Sequence, residues 1–309
     1  MTATPARVLG ALILVQAIFS TLHVVGKIVL RDLAPLALAG TRVAIATPLL
    51  LAIAWRHDRT VPERRDWPRL ALLGFLGILA NQTLFLLGLS FTSATSAAIL
   101  MPSIPVFTAG VAALVGVERV RGARLAGILL AAAGALVLLD PARLETSGRA
   151  TLGNLLVLSN CLCYSFFLVL QRPLFERVPW RTVIAWSFLF GSIGTLALSA
   201  PALAATPWTG LPASALAGTL YIGLVPTAGA FALNTWAVRR SSPAMAAAFT
   251  TLQPVLTGAL AAVALGEAVR GNQAIGFLLI VGGLALVQRD AMRRPVAPGA
   301  DIASVPEVE

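Results

Sequence analysis

The residues able to do chemistry are few and stand out against apolar surroundings. Asn81 and Gln82 sit side by side in one apolar run, and Asn160 and Tyr164 lie four apart in another. Amides and a phenol hold a zwitterionic or hydroxylated solute through paired donors and acceptors. A spacing of four puts Asn160 and Tyr164 on one helical face, where they could equally serve packing. Adjacent Asn81 and Gln82 cannot share a face. One is expected to point into a site, with Gln82 favoured, and the other to bond a neighbouring helix. Gln253 precedes Pro254, while Met101, Pro102 and Pro105 interrupt an earlier run. A proline ring removes a backbone donor and frees a carbonyl one turn earlier, so both runs are expected to be distorted. Trp186 could stack on an apolar part of a solute, whereas Trp236 and Asn234 are expected near an interface.

Other residue types narrow the chemistry further. His23 is the one group within an apolar run that titrates near neutral pH; it is a candidate for proton coupling, although a lone helical His more often stays neutral and hydrogen-bonded. No Asp or Glu lies deep in any run, which argues against a carboxylate relay for protons or sodium. Lys27 and Arg42 are cations inside apolar runs, both close enough to one end to snorkel. Either could instead attract a substrate carboxylate or close an outer gate, with the structural role favoured for Arg42 and Lys27 left open. Lys27 also joins Pro105 and Pro254 as a gating candidate. Cys161 and Cys163 are two apart, face different ways on a helix and suggest neither a disulfide nor a metal site. No nucleophile–base cluster and no nucleotide-binding loop is present, so an enzyme or an ATP-driven pump is not expected.

The elements that carry these groups follow from composition. Of 309 residues, 58% are hydrophobic and 12% charged, and the mean hydropathy is +0.86. That excludes a soluble domain. Ten apolar runs span 8–30, 35–55, 70–90, 95–116, 122–139, 151–171, 182–200, 213–236, 243–265 and 271–288. Each is long enough to cross roughly 30 Å of hydrocarbon as a helix. The first run could pass for a signal peptide, but it continues to Leu30 and is read as an uncleaved helix. The net charge of +10 comes from Arg clusters between runs rather than from a basic stripe, so nucleic acid is not an expected partner. With the N-terminus inside, most of the arginines, including Arg56, Arg64, Arg177 and Arg181, fall on the inner side. Only Arg31, Arg143, Arg149 and Arg270 fall in outer loops. This asymmetry predicts cytoplasmic termini. Trp55, Trp67 and Trp180 mark run ends on the same side, as interfacial anchors do.

An internal repeat organises the runs. Residues 118–139 match 267–288 in 8 of 22 positions, including Glu118 with Glu267 and Gly134 with Gly283. The same offset of 149 pairs Pro105 with Pro254, Ser93 with Ser242 and Gly74 with Gly223. Glu118 and Glu267 open the closing run of each half, where a carboxylate suits the positive end of the helix dipole. Five spans per half is an odd number, so the second half must enter the membrane inverted. The expected fold is therefore an all-α integral membrane protein of ten transmembrane helices in two inverted five-helix repeats. Residues 1–140 form the first repeat, 141–290 the second, and 291–309 a disordered cytoplasmic tail. Inverted repeats place a binding site near the midplane and rock around it, which points to a transporter.

The paired closing turns Gly116-Val117-Glu118 and Leu265-Gly266-Glu267, each after a Pro-containing run and before a Gly-rich one, resemble the EamA-type members of the drug/metabolite transporter superfamily. So does the early segment Lys27, Pro35, Thr41-Arg42. The resemblance covers nearly the whole chain; Val117, where the second copy has Gly266, is a small departure. It implies ten helices in a cell (inner) membrane and transport, commonly export, of amino acids or related metabolites. It also implies that the third span lines the path. The expected partners are a small-molecule solute and the lipid bilayer, and no cofactor is expected. The small-residue stripe Ala123, Gly127, Ala131 and Ala135 is read as helix packing or as a contact with a second copy of the chain. A membrane scaffold without transport is the alternative function, with a membrane enzyme behind it.

Overall fold

The computed structural model describes residues 5–92, 94–117, 122–139, 147–265 and 271–293. Among them are fourteen α-helices in two series of seven. The first comprises α1 (Pro5–Val29), α2 (Pro35–His57), α3 (Trp67–Gly74), α4 (Asn81–Phe91), α5 (Ala94–Leu100), α6 (Ser103–Val115) and α7 (Ala123–Leu139). The second comprises α8 (Gly148–Leu170), α9 (Trp180–Ala205), α10 (Ala213–Ile222), α11 (Phe231–Arg240), α12 (Pro243–Phe249), α13 (Leu252–Leu265) and α14 (Gly271–Arg293). In each series a π-helical stretch joins the third helix to the fourth, Phe75–Ala80 in one and Gly223–Ala230 in the other. Extra residues inserted this way widen the turn and commonly occur at functional sites.

Seven helices among the described residues are long and apolar enough to cross a membrane: Ala6–Val29, Pro35–His57, Arg64–Phe91, Ser96–Val115, Gly148–Glu176, Trp180–Ala205 and Ala213–Arg240. The other three runs expected from sequence correspond to the 17-residue α7, the divided α12 and α13, and α14, whose described apolar stretch is Leu278–Val287. Residues 291–293, assigned to the tail from sequence, continue α14 as helix because its hydrogen-bonded turns run on past the apolar stretch. Glu118, Glu267, the expected boundary at 140–141 and residues 294–309 lie outside the described residues.

The distortion expected around the two prolines takes the form of a break rather than a kink. The chain breaks one turn before each, at Met101–Pro102 and at Thr250–Thr251. Pro105 and Pro254 then occupy the first turn of α6 and of α13, where a backbone N–H has no helical partner to lose. The carbonyl four residues before each ring is used by a tighter turn. Ile104 N donates to Met101 O (3.0 Å) and Gln253 N donates to Thr250 O (3.0 Å). The prolines start half-helices rather than bend whole ones.

Packing follows small residues. The most extensive helix pair is α7 with α14, and the next is α2 with α9. A Cβ on Gly127 would come within 2.6 Å of Gly283 O, and one on Gly283 within 2.5 Å of Ala131 N. Of the predicted stripe, Gly127 and Ala131 pack against α14, while Ala123 is exposed. In the α2–α9 seam, Gly40 lies against Ser199 and Thr47 bonds Ser192 (2.5 Å). Gly74 meets the backbone of Gly191, and its repeat partner Gly223 meets Ile45, so both glycines of the pair admit a crossing helix. At the Arg-rich end, ion pairs cross between the series: Asp66 with Arg177 (2.7 Å), Asp58 with Arg181 (3.1 Å) and Arg124 with Asp290 (3.3 Å).

Candidate functional site

A cavity of about 60 Å³ lies where the two series meet. Phe19, Leu22 and His23 reach it from α1, Arg42 from α2, and Asn81, Gln82 and Phe85 from α4. Met101 and Ile104, at the break before α6, complete that side. From the second series come Asn160 and Tyr164 on α8, Phe231 on α11 and Gln253 on α13. The volume suits a few waters at most, since a cavity holding one needs roughly 10–15 Å³ on this measure. A solute of amino-acid size requires the walls to part.

The walls are aromatic and the floor polar. Tyr164 stacks on Phe167 (6.2 Å) and meets Phe19 (6.5 Å) and Phe231 (6.2 Å) edge-on. Phe85 meets the His23 ring edge-on at 5.3 Å. Asn81 and Asn160 cross-link α4 to α8 reciprocally. The Asn160 amide donates to Asn81 O (2.8 Å), and the Asn81 amide to Asn160 O (3.4 Å). Gln82 is 1% exposed, yet among the described residues neither its amide nitrogen nor its oxygen has a hydrogen-bond partner. Buried amides left unpaired cost free energy, so a site like this is poised for a ligand or water. The expectation that only one of the adjacent amides would face the site fails, because both border it. A step of about 100° along a helix separates them, and the cavity is wide enough to meet both edges. Their roles still differ as the chemistry suggested: Asn81 ties helices together while Gln82 is left unpaired.

His23 Nδ1 meets Phe19 O one turn earlier (3.1 Å), and among the described residues its Nε2 has no partner. The Gln253 amide donates to Gln16 Oε1 (2.7 Å), and the Ser20 hydroxyl approaches Gln253 O (3.4 Å). Gln253 therefore lines the cavity already bonded to α1. Lys27 lies away from the cavity. Its ammonium donates to Leu89 O (2.8 Å) and Thr92 O (2.7 Å), capping the carbonyl end of α4. Pro105 and Pro254 stand beside the cavity-lining Ile104 and Gln253 rather than in the lining itself.

Three expectations are corrected by tertiary contacts. Trp186 stays out of the cavity; it packs on Trp67 (5.7 Å) and, one turn on, Phe190 (6.0 Å), because that face of α9 meets α3. Asn234 is buried rather than interfacial. Arg42 does not snorkel. It is 1% exposed and its Nε donates to the Thr227 hydroxyl (2.8 Å). Thr227 can accept because its own proton goes to Ile222 O (2.6 Å). That carbonyl lacks an N–H four residues on, where Pro226 stands. Sequence reasoning undervalued Arg42 and passed over Gln16. The available signal was a strongly polar group midway along an apolar run.

Comparisons with known proteins agree with this architecture. The sequence profile of the EamA-like transporter family matches residues 7–140 and 151–289. A WAT1-related protein of Arabidopsis thaliana is 32% identical over 244 residues, covering 70% of this chain and 66% of its own length, just under two thirds. A probable terminal-alkyne amino-acid exporter of Streptantibioticus cattleyicolor is 30% identical over 254 residues, covering 82% of this chain and 84% of its own. One solved crystal structure superposes with a TM-score of 0.73 at 23% identity, over 94% of this chain and 100% of that one.

Proposed function

Since this chain belongs to the EamA-like transporter family, we propose that it exports amino acids or related small metabolites by alternating access around the cavity. The observation carrying this is the cavity's position: both series build it, and an unpaired amide and an unpaired imidazole nitrogen face it. The amino-acid exporter of Streptantibioticus cattleyicolor, similar over most of its length, supports the solute class.

In this reading, residues 1–140 and 141–290 are inverted five-helix repeats, the ten spans cross a cell inner membrane, and both termini are cytoplasmic. The repeats rock on the α2–α9 and α7–α14 seams, where glycines let the helices approach closely. The Asp66–Arg177 and Asp58–Arg181 pairs hold the cytoplasmic ends together in the state seen here. In each pair the arginine is partly exposed to water, so solvent can replace its contact with the nearly buried aspartate when the ends part. Gln82 and Tyr164 contact the solute, His23 offers a titratable nitrogen at the cavity, and Asn81, Asn160 and Gln253 shape the walls. Lys27 holds the outer end of α4, and Pro105 and Pro254 start the half-helices beside the cavity. Trp186 contributes to the cytoplasmic-side aromatic cluster rather than to the solute.

The test is flux in reconstituted vesicles. Movement of at least one labelled amino acid above protein-free vesicles is expected; no movement across all twenty and a panel of small metabolites rejects transport.

A further inference from the structure

Among the described residues, Arg42 is a buried charge that the fold leaves unexplained. A guanidinium carries five donors and a permanent charge, and burying it without an anion is strongly unfavourable. Among the described residues its side chain makes one hydrogen bond, from Nε to the neutral Thr227 hydroxyl. Ion pairs among the described residues join Arg65 with Glu63, Arg124 with Asp290, Arg177 with Asp66 and Arg181 with Asp58, and none of these residues lines the cavity. No carboxylate among the described residues lines the cavity. The repeat gives Arg42 no packing purpose either. The residue 149 positions on is Gly191, whose missing side chain admits Gly74, so the framework tolerates the smallest residue at the matching place.

Thr227 holds one edge of the guanidinium, and among the described residues the paired Nη groups have no hydrogen-bond partner. Two more unpaired groups border the same cavity, the Gln82 amide and His23 Nε2. We propose that Arg42 is the anion-binding residue of the cavity, taking the carboxylate of a carboxylate-bearing solute through its Nη groups while Gln82 and His23 bond the solute's other polar atoms. A planar guanidinium and a carboxylate match in a two-bond fork, which a lysine cannot reproduce. The aromatic walls then meet the solute's apolar part. This deepens the transport reading and takes its setting from it, but ligand binding can be measured without transport.

The experiment is the melting temperature of the purified full-length protein in detergent, with L-leucine, L-phenylalanine and benzoate set against L-leucinamide, L-phenylalaninamide and benzamide. At least one acid should raise the melting temperature by several degrees, its amide should not, and the acid's apparent affinity should fall on the order of a hundredfold in Arg42→Gln. Arg42→Gln without ligand should melt no lower than the native protein, since it removes an uncompensated buried charge. Arg42→Lys should keep a weakened acid response. No shift with any acid, amides as effective as acids, or an equal acid shift in Arg42→Gln would each overturn the assignment. If Arg42→Gln does not fold, the acid–amide comparison on the native protein still decides. An acid-specific shift without vesicle flux would uphold the Arg42 site and reject transport. Equal flux of acid and amide would uphold transport and overturn the carboxylate.

Discussion

Gln82 and Asn81 show how little residue type alone says about role. Both are buried amides at the same depth, but Asn81 meets a backbone carbonyl across the helix seam and Gln82 meets none. Removing a group that bonds solute loses about one net hydrogen bond, so Gln82→Ala should lower solute flux roughly fivefold or more without reducing the amount of protein in the membrane. Tyr164→Phe should do the same while keeping its ring contacts; normal flux in both would remove them from the site. Lys27 makes the opposite case. Its bonds satisfy the end of α4, so Lys27→Gln should lower the melting temperature by a few degrees, through the loss of charge-assisted caps. An unchanged melting curve would contradict the capping role. Residue type singled out the polar groups that border the cavity other than Arg42, but not its apolar walls Phe19, Phe85 and Phe231. Arg42 was misplaced because snorkelling depends on which way a helix is turned, and one sequence does not set that.

Among the elements, the paired breaks and paired seams were partly legible. The Met101–Pro102–Pro105 and Gln253–Pro254 signals found the right two runs, but propensity cannot tell a kink from a half-helix start. The stripe on α7 was legible as a packing surface, and only the fold supplied its partner, α14. Gly127→Leu or Gly283→Leu should force that seam apart; overpacking of this kind costs about 1–3 kcal/mol or more. A melting temperature equal to that of the native protein in both variants would show that α7 and α14 do not meet there. Pro105→Ala, by contrast, should leave the fold intact, since the ring replaces no helical bond. A large loss of stability would show that the proline shapes the break.

For the whole molecule, the inverted arrangement makes a sharp topological prediction. Reporter tags at both termini should read cytoplasmic and a tag near residue 145 external. Termini on opposite faces, or residue 145 inside, would end the two-repeat reading. Hydropathy and charge placement determined membrane residence, the approximate runs and the likeness of the two halves, because these depend on local composition and on an offset that survives in the chain. What surrounds each polar side chain was settled only by tertiary structure. A helix of mostly Leu and Ala fits a neighbour at several rotations with similar energy. The rotation that buries Arg42 against Thr227, turns Trp186 toward Trp67 and leaves Gln82 unpaired is chosen by close glycine contacts between segments more than a hundred residues apart.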